Sequence, residues 1–166
     1  SCFDIGNPEE EISNMAYLGK IILHQPNFLF NYSNIGYQTY LVDPSSLNMM
    51  NRLYFDTYRL GQIRDMIEES EPIIRHADMF TFDITAIKHS DAPAHPNASP
   101  NGFYAEEACQ MMRYAGMNDK LTSLGIYEIN PEYDVNGKTS HLAAQMIWCF
   151  MDGFYNRKND FPSRSS

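Results

Sequence analysis

The chain has 166 residues, a mass of 19.1 kDa and a formal charge of −9, with 21 acidic and 12 basic side chains. The length fits one domain, and the 43% of apolar residues is enough for a core, which excludes wholesale disorder. The acidic balance argues against a nucleic-acid partner, because phosphate contacts need clustered Lys and Arg. No apolar run approaches the roughly 20 residues of a membrane span, so no membrane partner is expected.

The cysteines indicate the redox setting of the protein. Cys2, Cys109 and Cys149 are odd in number and far apart in the sequence, which is more typical of reduced thiols than of a disulfide framework. The first residues do not have the pattern of a signal peptide. We therefore expect a cytoplasmic location.

The first part of the chain predicts two helices and two strands. Residues 15–23 are mixed apolar and favour a helix, whereas 28–42 are rich in aromatic and β-branched side chains and favour a strand that contains Gly36. Residues 43–46 have the pattern of a helix N-terminus, and Leu47, Met50 and Leu53 after them form the apolar face of the predicted helix. A short strand is then predicted over 54–60.

Helices and strands alternate in the rest of the chain. The apolar run 79–84 is typical of a strand buried on both faces, and Pro72 interrupts or restarts the helix before it. The predicted elements are, in order, helix 62–76, strand 79–84, loop 88–101, helix 102–117, strand 121–129 and helix 138–155.

This alternation predicts a single α/β unit with a mainly parallel sheet covered by helices on both faces. In such a sheet the ligand site lies at the carboxyl ends of the strands. Three carboxylates lie at or near such ends: Asp4, Asp83 and Glu128. Their convergence points to a site, although a helix cap or a hydrogen-bonded structural role would equally explain Asp83.

The proline-rich loop contains a second candidate cluster. His89, Asp91 and His95 have a spacing compatible with metal ligands, but such loops commonly hold exposed His and Asp as well. The sequence has neither a Gly-rich phosphate loop nor a nucleophile elbow. The common nucleotide-binding and serine-hydrolase classes are therefore not indicated.

The strongest motif lies near the end of the chain. Glu128-Ile129-Asn130-Pro131-Glu132-Tyr133-Asp134, followed by Thr139 and Leu142-Ala143-Ala144, resembles the closing motif of the ureohydrolases: arginase, agmatinase and formimidoylglutamase. Its Asn-Pro-x-Tyr-Asp form is most similar to formimidoylglutamases. Phe82-Asp83-Ile84 resembles the family strand that ends in Asp-x-Asp, and Phe3-Asp4-Ile5 resembles the end of its Asp-x-His-x-Asp motif.

The resemblance implies a three-layer α/β/α sandwich, arginase-like, that is incomplete on its N-terminal side. Residues 1–166 would form the C-terminal portion of a single domain. The family has two manganese ions, whose bridging hydroxide attacks a guanidino or formimino carbon. By resemblance, Asp4 and Asp83 occupy metal-ligand positions, and Glu128 matches the acid that holds the cationic end of the substrate.

Two departures from the family pattern affect the metal site. Cys2 stands where the family has a histidine ligand, and Thr85 stands where it has the second Asp of Asp-x-Asp. A thiolate suits manganese poorly and a neutral hydroxyl donates less charge than a carboxylate, so zero or one ion is expected here.

Three interpretations of the sequence stay open. The first is metal-dependent hydrolysis of a C–N bond in a small linear amidine or guanidino substrate. The second is an inactive relative kept as a binding or assembly module, for which the many Tyr and Phe residues would suit a homo-oligomer or a protein partner. The third is an unrelated doubly wound domain in which Asp83 and Glu128 are structural.

Overall fold

A computed structural model describes residues 17–26 and 29–158 of the chain. The chain divides between Leu60 and Gly61 into two compact units. Cys2 and Asp4 lie outside the described residues. The metal-ligand role of Asp4 and the substitution at Cys2 therefore stay sequence predictions.

The described residues of the first unit form two parallel strands and two helices. Its elements are α1 (Tyr17–Leu23), β1 (Ser33–Tyr37), α2 (Pro44–Arg52) and β2 (Asp56–Arg59). The helix entry predicted around Asp43 is confirmed, since the Asp43 carboxylate accepts the Ser45 N–H at 3.2 Å. Pro44 takes the first helical position, where its missing N–H is not needed.

The strand predicted over 28–42 is much shorter in the structure. Gly36 has φ +90°, and the pairing of β1 with β2 shifts register between Ile35 and Tyr37. Residues 39–41 then form a 3-10 turn instead of extended chain. The glycine therefore limits this strand, although its neighbours have strong strand preference.

Up to residue 158, where the description of the chain ends, the second unit forms four helices and a second parallel strand pair. Its elements are α3 (Leu60–Asp65, which begins at the division), α4 (Ser70–Arg75), β3 (Met79–Asp83), α5 (Ala105–Met117), β4 (Ser123–Tyr127) and α6 (Lys138–Tyr155). The helical region predicted over 62–76 is present as two helices, and the restart predicted at Pro72 is confirmed. It is divided by a 3-10 turn, and Pro72 lies in the first turn of α4, where it restarts the helix.

The pair formed by β3 and β4 sets the position of the candidate site. The strands are parallel, with Asp83 opposite Tyr127 at their carboxyl ends. Burial of β3 on both faces is not observed, because Met79 is 63% exposed while Phe82 is buried. In the described part of the chain β4 is the strand that pairs with β3.

Helices α5 and α6 pack closely and run in the same direction. A Cβ atom on Gly116 would lie 2.0 Å from the carbonyl oxygen of Phe150, and one on Gly153 would lie 2.2 Å from that of Arg113. The helix backbones therefore touch at these two glycines, which no other residue type permits. Arg113 also donates to the Asp152 carboxylate at 2.8 Å across this interface.

Helix α6 has the bounds that the sequence predicts. Its 18 residues present Thr139, Leu142, Ala143, Met146 and Gly153 as a buried stripe, with the spacing of one helix face. A search of residues 17–26 and 29–158 finds no helix whose length and apolar character would let it cross a bilayer.

Candidate active site

Asp83 ends β3 and is half-buried. Its Oδ1 atom accepts hydrogen bonds from the backbone N–H of Thr85 at 2.8 Å and from the Thr85 hydroxyl at 2.7 Å. Asp83 thus caps the 3-10 turn Ile84–Ala86, the structural role that the sequence also allowed. The Thr85 hydroxyl donates its hydrogen bond to this capping carboxylate. The metal-ligand role of Asp83 stays a prediction.

Glu128 directly follows β4, beside the end of β3. Its backbone has φ +67°, a left-handed conformation that costs a non-glycine residue roughly 1 kcal/mol. Its Oε2 atom lies 2.9 Å from Nε2 of His95, and the carboxylate side chain remains 34% exposed. The strained backbone thereby places a half-buried carboxylate against the proline-rich loop, with part of it open to a ligand.

His95 is oriented by a second hydrogen bond. Its Nδ1 atom accepts the backbone N–H of Asn97 at 3.0 Å, so the ring hydrogen of the neutral imidazole is on Nε2. Nε2 then donates to Glu128, and the His95 side chain is only 15% exposed. The histidine thus fixes one oxygen of Glu128 and holds the carboxylate in place.

The loop and the closing motif are joined through one alanine. Ala94 is fully buried; its N–H donates to the hydroxyl of Thr139 at 3.0 Å, and its carbonyl accepts the N–H of Asn130 at 2.8 Å. Lys138 adds a hydrogen bond to the carbonyl of Ser90 at 2.9 Å. These bonds connect the loop to both sides of the closing motif and position His95, the next residue.

Removing the Thr139 hydroxyl tests this connection. We expect Thr139→Val to lower the free energy of unfolding by about 1 to 3 kcal/mol, because the buried N–H of Ala94 would lose its acceptor. Valine keeps the shape of threonine at this fully buried position. Thr139→Ser keeps the hydroxyl and is the control. Urea unfolding of both variants measures the difference, and a serine variant as unstable as the valine variant would contradict the assignment.

Asp134 fixes the start of α6. Its carboxylate accepts the N–H groups of Thr139 and Ser140 at 2.8 and 3.0 Å and the Ser140 hydroxyl at 2.5 Å. The hydrogen bond from the Ser140 hydroxyl, followed in size by those from the backbone N–H groups, lowers the pKa of Asp134 below its ordinary value. This carboxylate therefore stays ionised at neutral pH and holds Thr139 in position to bind Ala94.

A cleft of about 540 Å³ lies between the loop and the closing motif. It is lined by His89, Pro93, His95, Pro96, Ala98, Glu132, Tyr133, Asp134 and Val135. Its ionisable lining consists of two histidines, two carboxylates and one tyrosine, and no Lys or Arg of the described chain lines it. Glu128 is not itself a lining residue but is bonded to His95, which is. The arrangement suits a small ligand with a cationic, hydrogen-bond-donating end.

The predicted loop cluster does not form a metal site in the structure. Asp91 is instead used by the fold: it accepts the N–H of Ala105 at the start of α5 at 3.0 Å and lies 3.6 Å from the Lys88 ammonium group. His95 binds Glu128. Within residues 17–26 and 29–158, no three His, Cys, Asp or Glu side chains are grouped so that they could hold a metal ion.

The described residues therefore do not by themselves fit the two-manganese site that the resemblance implies. Of the two predicted ligands, Asp83 is described and Asp4 is not. Hard carboxylate ligands would be needed beside Asp83, and the neighbouring Thr85 contributes a hydroxyl that is already hydrogen-bonded.

The fold, with acidic side chains at the ends of parallel strands, places the protein in a class of α/β proteins whose ligand sites lie at that edge. The sequence profile of the Arginase family matches residues 17–153. The chain belongs to the arginase family.

The relatives it resembles are formimidoylglutamases. The Staphylococcus haemolyticus enzyme is 36% identical over 114 residues, which cover 67% of this chain and 36% of that protein. The Vibrio parahaemolyticus enzyme is 30% identical over 107 residues, 64% of this chain and 29% of the relative. The chain thus spans about a third of the length of these curated relatives.

Solved structures show the same arginase-like α/β fold. A crystal structure of Trypanosoma cruzi formiminoglutamase with Mn²⁺ has a TM-score of 0.84 at 18% identity, over 94% of this chain and 55% of that one. The Bacillus subtilis formimidoylglutamase structure has a TM-score of 0.81 at 18% identity, over 95% of this chain and 52% of that one. The fold predicted from the sequence is confirmed, and this chain covers part of the domain.

Proposed function

We propose that this chain forms the substrate-holding part of a formimidoylglutamase-like ureohydrolase, which hydrolyses a C–N bond of a small linear amidine or guanidino compound. The observation that supports the proposal is the Glu128 carboxylate, held by the Nε2–H of His95 at 2.9 Å beside an acidic cleft. The family relatives add support, because those that the chain resembles are formimidoylglutamases. A cytoplasmic location belongs to the same proposal.

In this proposal Glu128 recognises the substrate's cationic end. A formimino or guanidino group is planar and, when protonated, carries several N–H donors around one positive charge. The Glu128 carboxylate can accept such donors, and ionised acceptors give stronger hydrogen bonds than neutral ones. Because His95 holds Oε2 in one orientation, less freedom is lost when the ligand binds.

In this proposal a manganese ion held by Asp83, with Asp4 as the second ligand that the family resemblance implies, would supply a water of lowered pKa for the hydrolysis. Glu132 and Asp134 in the cleft lining add negative charge that draws a cationic substrate in. Asp83 lies at the end of the neighbouring strand, one register position before Glu128 in the β3–β4 pairing. We propose it as a metal ligand in a site that holds at most one ion.

Substitution of Thr85 tests the altered metal site. We expect the purified protein, grown with manganese, to contain one ion per chain or none, and Thr85→Asp to raise the affinity for manganese about tenfold or more by adding a carboxylate. Thr85→Asn is the matched control, since it has the size of Asp without the charge. Metal analysis and manganese titration provide the readout. Two ions in the unaltered protein, or equal affinity in the Asp and Asn variants, would refute the altered site.

Hydrolysis itself is tested with formiminoglutamate, arginine and agmatine, with formamide or urea as the measured product. Turnover of one of them supports the proposal. Binding of one of them without turnover, measured by calorimetry, would favour the second candidate, an inactive relative that serves as a binding or assembly module. The observation that favours this candidate is Thr85, whose hydroxyl replaces a family carboxylate and is already bonded to Asp83. A homo-oligomer or protein partner belongs to this second candidate.

A further inference from the structure

Two thiols that are distant in the sequence lie side by side between α5 and α6. Cys109 and Cys149 are both half-buried and free, and the thiol of Cys109 donates a hydrogen bond to the sulfur of Cys149. Their proximity is a property of the fold, because one belongs to each helix.

The two cysteines lie one helical turn before a close contact between the helices: Cys109 is four residues before Arg113, and Cys149 is four residues before Gly153, whose Cβ would lie 2.2 Å from the Arg113 carbonyl oxygen. A disulfide needs Cα atoms roughly 4.4 to 6.8 Å apart, and the Gly116 and Gly153 contacts bring the two helix backbones together further along the same interface. Between the thiols and the glycines, Arg113 binds Asp152 at 2.8 Å. These contacts hold α5 and α6 side by side in the turns that follow the two cysteines.

We propose that Cys109 and Cys149 form a reversible disulfide that joins α5 to α6 when the protein meets a low-molecular-weight disulfide such as oxidised glutathione. This modification is independent of the proposed hydrolysis. The reaction would convert two protein thiols and one oxidised glutathione into one protein disulfide and two reduced glutathione molecules.

The exchange proceeds in two steps. The thiolate of Cys149 attacks one sulfur of oxidised glutathione, whose S–S bond breaks and releases one glutathione thiolate. Cys109, after losing its proton to solvent, attacks the Cys149 sulfur of this mixed disulfide and releases the second glutathione. The protein loses two protons and two electrons, and the two glutathione molecules gain them.

The environment of the pair supports this order. Burial, with the charge of a Cys149 thiolate and the hydrogen bond to Cys149, raises the pKa of Cys109 to about 12. Cys109 is therefore protonated in the reduced protein and is the slower nucleophile. Once Cys149 carries glutathione, its thiolate charge is gone, which removes one of the causes of that raised pKa.

The disulfide would connect the two helices that hold the site loop. α5 begins where Asp91 of the loop accepts the N–H of Ala105, and α6 carries Thr139, which holds Ala94. A link that closes a loop of this length between residues 109 and 149 constrains the unfolded chain, so we expect the oxidised protein to melt about 5 to 10 °C higher.

The test uses the purified protein treated with oxidised glutathione, followed by alkylation of free thiols and trypsin digestion without reductant. The pair is separable, because Cys109 lies in tryptic peptide 89–113, Cys149 in 139–157 and Cys2 in 1–20. We expect a linked 89–113 and 139–157 species that disappears on reduction, and a loss of about 2 Da from the intact chain, as disulfide formation requires.

The Cys109→Ala and Cys149→Ala variants should each lose the linked peptide and the rise in melting temperature. The peptide map of the unaltered protein decides the matter even if a variant fails to fold. Three outcomes would overturn the proposal: alkylation of both cysteines, a glutathione adduct that stays on one of them without a link, or a link that runs through peptide 1–20.

Discussion

Alanine at Gly153 should lower the free energy of unfolding by about 3 kcal/mol, and alanine at Gly116 should do the same. The added methyl group at Gly153 would lie 2.2 Å from the carbonyl oxygen of Arg113, and that at Gly116 would lie 2.0 Å from the carbonyl oxygen of Phe150. In each case the neighbour is helix backbone, which cannot rotate away as a flexible side chain would. The helices must separate, and the packing on both sides of the contact is lost.

Gly61 supplies the matched control for this experiment. It lies in α3, and a Cβ atom there would meet nothing within 4 Å. Gly61→Ala should therefore leave stability unchanged or raise it by up to about 1 kcal/mol, since alanine favours the helix and restricts the unfolded chain. Urea unfolding gives the comparison. Equal stability of all three alanine variants would show that α5 and α6 do not depend on close backbone contact.

The double variant measures how the two contacts are coupled. Both glycines serve one helix–helix interface, so a first alanine that separates the helices makes room for the second. We expect Gly116→Ala with Gly153→Ala to cost less than the sum of the single changes. Strict additivity would mean that the two contacts relax independently, which the shared interface does not predict.

The second large effect concerns ligand binding at Glu128. Glu128→Gln should weaken binding of an amidine or guanidino ligand roughly 100-fold, because the ligand's positive charge would lose its partner in a partly buried site. This expectation depends on the proposed function. Glutamine keeps the shape of the side chain and an oxygen that can accept from His95, so the fold should be little affected. Calorimetric titration with the substrate found in the hydrolysis assay, or with agmatine if none is turned over, measures the change.

Two further variants, one at Glu128 and one elsewhere, distinguish an effect on binding from an effect on folding. Glu128→Gly removes the carboxylate but relieves the left-handed backbone at φ +67°, so this variant should bind as weakly as the Gln variant while remaining folded. Glu68→Gln removes an exposed carboxylate far along the chain and should bind normally. Unchanged affinity in Glu128→Gln would exclude Glu128 from ligand recognition.

Several elements could be predicted from the sequence because local physics decides them. Helix α6 has the predicted bounds, as its apolar stripe continues for the whole helix. Asp43 caps α2 where the sequence indicates a helix entry. The strand predicted over 28–42 is too long, because strand preference does not include the turn at Gly36. The helical region predicted over 62–76 contains a 3-10 turn that Pro72 explains only in part.

The candidate site was predictable to the level of strand ends and no further. Alternation of strands and helices is enough to place Asp83 and Glu128 at one edge of a parallel pair, and the structure brings them there. The bond from His95 to Glu128 has no local signal, because loop geometry alone brings the two together. Sequence spacing instead associates His95 with His89 and Asp91. Side-chain pairs of this kind depend on tertiary contact and have no periodicity to detect.

The hydrogen bonds of Ala94 restrict how this protein can vary during evolution. Both backbone groups of that peptide segment are bonded to the closing motif, and the side chain is fully buried. An inserted or deleted residue just before Ala94 would displace both bonds together. Length changes in the loop are better tolerated after Asn97, whose N–H orients His95, in the exposed stretch around Pro100 and Asn101. Family members with a different ligand preference would therefore be expected to differ in that stretch, while the part of the loop before it keeps its length.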